Sequence, residues 1–146
     1  IVGQCIGGQR PDRARDYLKC ALKYGCALLL ILSIIIVAFS KQLSGLFVKS
    51  SDVAAIVGVY FLIVGVGYVL NTVTNSFLGV LNGFGKPAKS MMLMIFYYIV
   101  VRMPLAYLLS LLGFGLNGIW VAVLISHICA AAASTIVSTL QFKMSK

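Results

Sequence analysis

The sequence predicts an all-α membrane protein with four transmembrane helices arranged in antiparallel hairpins. Hydrophobic residues make up 61% of the 146 and charged residues 10%, for a mean hydropathy of +1.04. A water-soluble domain must keep far more polar surface than that. The charges also fall between or at the edges of four apolar stretches rather than inside them, with Arg102 as the exception and Lys89 at an edge. Those stretches, about 24–40, 53–82, 89–112 and 118–140, are each long enough to cross a hydrocarbon core of ~30 Å.

Residues 1–23 form a loop and a basic lead-in helix, the latter opened by Arg10-Pro11-Asp12, with proline where a first helical turn tolerates it. Span A (24–40) follows without a charge. Span B (53–82) would be about 45 Å long as a helix, more than the bilayer core, so it must tilt, protrude or bend, with Gly65 and Gly67 as the place for a bend. Span C (89–112) contains Arg102 and Pro104, and the proline removes a backbone donor and should distort the helix. Span D (118–140) leads into the tail, 143–146. The links 41–52, 83–88 and 113–117 are short, as hairpins between packed neighbours require.

Charge fixes an orientation. If the spans alternate, the lead-in, the link between spans B and C, and the tail share one side and carry Arg10, Arg13, Arg15, Lys19, Lys23, Lys86, Lys89, Lys143 and Lys146. The opposite side carries Lys41 and Lys49. This bias places both ends in the cytoplasm and the bundle in the inner or plasma membrane as a multi-pass protein. A net charge of +9 organised this way is a topology signal rather than a nucleic-acid surface. The opening residue Ile1, with no basic region and apolar core of a leader behind it, reads as an internal start of a longer chain.

Polar residues inside the spans are the candidates for function. In span B, Leu62, Ile63, Val66, Val69, Leu70, Val73, Phe77 and Val80 share one side, which should face lipid. Gly67, Asn71, Thr72, Asn75, Ser76 and Gly79 lie opposite. The amides of Asn71 and Asn75, one turn apart, serve either as glue between helices or as lining of a wet cavity. In span C, Tyr98 and Arg102 are also one turn apart, at a depth where a charge faces protein or water; snorkelling to the outer surface or pairing with Asp52 are the structural alternatives. Span D carries Trp120, His127, Ala131, Ser134 and Ser138 along one stripe. His127 is open to two readings, a proton relay or a hydrogen bond to a neighbouring helix.

Apparent catalytic motifs fail on context. Gly113, Gly115 and Gly118 satisfy the dinucleotide spacing, but the segment before them is too long for a strand and no acidic residue follows. Gly85-Lys86 lacks the first glycine and the Ser or Thr of a phosphate loop. Cys5, Cys20, Cys26 and Cys129 form no CxxC pair, so no metal or disulfide framework is indicated. With three acids, one histidine and no paired nucleophile and base, the chain is not expected to be an enzyme or to hold a cofactor.

Three stretches carry a resemblance. Val2-Gly3-Gln4-Cys5-Ile6-Gly7-Gly8-Gln9-Arg10-Pro11-Asp12-Arg13-Ala14-Arg15 resembles the cytoplasmic loop motif of the multidrug and toxic compound extrusion (MATE) transporters. Phe77-Leu78-Gly79-Val80-Leu81-Asn82-Gly83-Phe84-Gly85-Lys86-Pro87 is similar to their later cytoplasmic link, and Val101-Arg102-Met103-Pro104-Leu105-Ala106-Tyr107 to their eleventh span. The resemblance implies the last four helices of a twelve-helix, two-lobe antiporter that exports drugs or organic cations in exchange for H+ or Na+, completed by N-terminal helices outside this chain. One departure bears on coupling: no acid lies within any span here, so the coupling ion would bind outside this chain. Asn71, Asn75, Tyr98 and Arg102 remain the cavity residues of the physical reading. A flippase for lipid-linked saccharides, which should carry a more basic groove, and a membrane scaffold subunit without transport are the competing functions.

Overall fold

The computed structural model describes residues 1–47 and 51–144, and every element among them is helical. α1 (Val2–Gly7) leads into α2 (Pro11–Ala38), in which the basic lead-in and span A form one continuous helix. α3 (Ser40–Phe47) occupies part of the stretch expected as a link. α4 (Ser51–Gly83) is followed by α5 (Pro87–Ile95), a π-helical segment Phe96–Arg102, and α6 (Met103–Leu109). A second π-helical segment, Ser110–Phe114, precedes α7 (Gly115–Met144). Lys49 and Lys146, which entered the charge comparison, lie outside the described residues, as do the side chains of Lys41 and Asp52.

Two turns at the basic end are built alike. At the end of α4, Gly85 takes φ 70° while Lys86 N–H donates to Leu81 O and Gly85 N–H to Asn82 O, both at 3.0 Å. That pair of bonds is a Schellman motif, which satisfies carbonyls the helix end leaves without donors. At the end of α1, Gln9 takes φ 56°, with Arg10 N–H donating to Cys5 O at 2.8 Å and Gln9 N–H to Ile6 O at 3.0 Å. Each turn then passes through a basic residue, Arg10 (φ −120°, ψ 64°) or Lys86 (φ −117°, ψ 54°), into a helix opened by proline. The proline holds the preceding residue out of the helical region, and its own missing N–H costs nothing in a first turn.

Three helical stretches are long and apolar enough to cross a membrane: Pro11–Ala38, Ala55–Gly83 and Pro87–Met144. The last is not a straight rod. Gly113 adopts φ 86°, ψ 8° and Gly115 φ 53°, ψ −136°, and beyond them α7 folds back on α6 and the first π-helical segment. Glycine is needed at both positions because a Cβ opposes positive φ. The first π-helical segment has a chemical cause next to it: Pro104 has no N–H to offer the carbonyl one turn earlier, and a wider turn redistributes the donors.

α4 is the centre of the bundle, packed mainly on α7 and α2. It runs as one continuous helix, and two of its glycines make close contacts. A Cβ on Gly65 would lie 3.6 Å from Ser33 and Val37, and one on Gly67 3.2 Å from the His127 ring. The hydroxyl of Ser33 donates to Gly65 O at 2.9 Å, which ties α2 to α4.

The face assignment within α4 needs a correction. Leu62 and Val66 are exposed as expected, but Phe77 and Val80 are buried, and Asn75 and Gly79 are exposed. At the basic end Ala14, Leu18 and Phe142 close around Phe77 and Val80, covering a face that the helix's own periodicity assigns to lipid.

α7 presents a regular ridge: Gly118, Ala122, Ser126, Ala130, Ser134, Ser138 and Phe142 recur every fourth residue and all are buried. Small side chains at that spacing let two helix backbones approach, the usual device for association where lipid removes the hydrophobic drive. Ser138 Oγ donates to Phe77 O at 3.0 Å across this contact.

Candidate functional site

Arg102 ends the first π-helical segment and points onto α7. Its Nε donates to Ser126 Oγ at 2.9 Å, and its Nη2 lies 3.5 Å from His127 Nδ1. Guanidinium is a donor only, so a hydrogen bond across this contact is accepted by Nδ1 in the tautomer that carries its proton on Nε2. The guanidinium carbon also sits 4.4 Å from the centroid of the Tyr98 ring, a cation–π contact one turn earlier on the same segment. Tyr97 stacks on Tyr98 at 4.4 Å and is buried. The sequence pairing of Tyr98 with Arg102 is therefore real in space, and the side chain of Arg102 lies against α7. The alternative partner Asp52 has its side chain outside the described residues.

His127 is buried between Arg102 and the bare backbone of Gly67. Any side chain at Gly67 would press on the imidazole, so the absence of a Cβ there is what admits the ring. Ser126 is held in turn by donation to Val123 O at 2.7 Å, which leaves its oxygen lone pairs available to Arg102. Sequence reasoning does not single out Ser126; its signal is the four-residue spacing of small residues along span D.

The two asparagines do not join this cluster. Asn75 is exposed and lines a cavity of about 650 Å3 at the basic end, between α2 and α4, with Tyr17, Tyr24, Ser76 and Gly79. Asn71 is half-buried one turn away, and neither amide makes a hydrogen bond among the described residues. An apolar groove of about 610 Å3, lined by Ser33, Val37, Leu62, Gly65 and Val69 among others, opens farther along the same pair of helices.

A bundle of long apolar helices with buried polar contacts in its middle defines the class: a polytopic α-helical membrane protein. The family model MatE matches residues 1–108, and the chain belongs to that family, the multidrug and toxic compound extrusion transporters. Two relatives carry the name probable multidrug resistance protein NorM. The one from Pasteurella multocida is 29% identical over 136 residues, covering 90% of this chain and 29% of the relative. The one from Mannheimia succiniciproducens is 28% identical over the same length, again covering 90% and 29%. A solved multidrug resistance transporter of the MATE family, in an outward-facing conformation, superposes with a TM-score of 0.91 at 21% identity, over 99% of this chain and 33% of that one. The fold is that of these transporters, and the chain spans less than a third of the length of the curated relatives it matches.

Proposed function

We propose that the chain is part of a cation-coupled antiporter that exports drugs or organic cations across the plasma membrane by alternating access. The observation that carries this reading is its membership of the MatE family together with relatives named as multidrug resistance proteins. In this reading the chain contributes four crossings, a count supported by the glycine turn at Gly113 and Gly115, beyond which α7 packs back on α6. Both ends face the cytoplasm, a placement supported by the basic residues gathered at one end. Helices outside this chain complete the second lobe and supply the first. The acid that binds H+ or Na+ is on one of them, because no acid lies within spans A to D (24–40, 53–82, 89–112 and 118–140).

Within that antiporter, Tyr98 and Arg102 form one side of the transport path, and Asn71 and Asn75 line its cytoplasmic entrance beside the tyrosines of α2. Exposed aromatic faces and unspent amides suit a broad set of organic cations. His127 acts as a fixed acceptor for Arg102; a relay through its ring would have to break that contact. A role in catalysis is not part of this reading.

The test is energy-dependent efflux by the complete protein. Cells lacking their own pumps and expressing it should accumulate less ethidium than control cells, and collapsing the H+ or Na+ gradient should remove the difference. Equal accumulation in both cell lines, with the protein present in the membrane, contradicts the proposal.

A further inference from the structure

The contacts of Arg102 are all neutral. A serine hydroxyl takes Nε, an imidazole lies within reach of one Nη2 proton, and a phenol ring lies 4.4 Å from the guanidinium carbon. The only ion pair among the described residues is Lys19 with Asp16, exposed at the basic end. A guanidinium has five N–H donors, and those beyond Nε and one Nη2 proton meet no acceptor among the described residues. No buried side-chain nitrogen is left without a partner, so Nη1, which has none, is not buried. The result is a cation held by three neutral contacts inside an apolar stretch, with Nη1 left open.

We propose that this guanidinium is a carboxylate site. Two parallel N–H groups match the two oxygens of a carboxylate, and the bond is strengthened where water is scarce. The guanidinium is held in place by Tyr98, 4.4 Å from its carbon, and by Ser126 on Nε, before a ligand arrives. Burying a cation without a counter-charge is costly, which gives the site a standing preference for an anion. The carboxylate comes either from an acidic side chain on a helix outside this chain or from a zwitterionic substrate. The site rests on the membrane-spanning reading of the bundle and not on drug export itself.

The experiment uses the complete transporter with Arg102→Gln and with Arg102→Lys, which keeps the charge and loses the fork. Two readings are taken: efflux of ethidium, which has no carboxylate, against efflux of a zwitterionic fluoroquinolone, and the thermal unfolding midpoint in detergent. A substrate carboxylate predicts that R102Q lowers fluoroquinolone efflux by about tenfold or more relative to its effect on ethidium efflux, with R102K recovering only part of that difference. A side-chain carboxylate predicts that R102Q lowers the midpoint, and that neutralising one membrane-embedded Asp or Glu restores it in R102Q while lowering it in the wild type. Unchanged selectivity and unchanged unfolding in R102Q overturn the proposal, as does a uniform loss that no neutralisation restores or that R102K fully repairs. If R102Q is not recovered folded, the same readings on R102K decide. If the wild type exports neither probe, the antiporter reading fails while the unfolding measurements still decide the site.

Discussion

At the basic end of the bundle, Ala14, Leu18, Phe77, Val80 and Phe142 close against one another, with Phe84 set edge-on to Phe142 at 5.0 Å and Arg15 lying over the same ring at 5.2 Å. From Ser138 on that contact, twelve residues back along α7 is a rise of about 18 Å, and there Ser126 and His127 meet a guanidinium and a bare glycine. One region is apolar, closed and fixed by four chain segments. The other is polar, half open, and borne on a helix whose regular bonding is interrupted by Pro104. The difference teaches how one short helical ridge serves two ends: small residues bring α7 onto α4 throughout, and what fills the remaining space decides whether the contact anchors or presents chemistry.

The turn between the two arms of the last hairpin is where this division breaks most easily. A Cβ on Gly118 would lie 2.9 Å from Phe114 Cβ and 3.2 Å from the backbone carbon of Leu109. Gly118→Val should therefore cost about 2–3 kcal/mol and lower the thermal unfolding midpoint of the complete protein further than a single substitution at the closed end. Retention of the wild-type midpoint would mean that the arms are not in contact as described.

The closed end should respond next. Leu81 is fully buried on α4, and Leu81→Ala leaves a cavity. Because the reference state in lipid is itself apolar, most of the transfer component disappears and about 1–2 kcal/mol of lost packing remains. Any change of selectivity caused by Arg102→Gln should be the same in the Leu81→Ala background, since the sites are separate. The smallest effect belongs to Ser138→Ala, which removes the hydroxyl bond to Phe77 O and should cost about 0.6 kcal/mol. A loss several times larger would show that the ridge depends on this bond rather than on close approach.

Much of the architecture is legible in the sequence because charge and length mark crossings strongly. The uncharged runs locate the apolar helices, and Pro11, Pro87, Gly85 and Gly113 punctuate them where the structure does. The rotation of each helix about its own axis is less legible. In lipid an outward leucine and an inward phenylalanine look alike, which is why periodicity puts Phe77 and Val80 on the wrong face and why Asn71 and Asn75 do not converge with Arg102. What does mark the inside is small size and polarity, and the recurrence from Gly118 to Ser138 is present in the sequence as that signal. Tyr98 and Arg102 can be found together because their partnership is local to one turn; Gly67 and Ser126 belong to the same site through other helices, and a single sequence does not reveal such pairings.

The distorted segment sets Arg102 against α7 through Ser126. A double-mutant cycle on the complete protein, with Arg102→Gln, Ser126→Ala and both together, measures that contact directly through thermal unfolding. The 2.9 Å bond from Nε to Ser126 Oγ predicts a coupling of about 1 kcal/mol, so that the double variant loses less than the sum of the two single losses. Strictly additive losses would contradict the claim and place Arg102 away from Ser126.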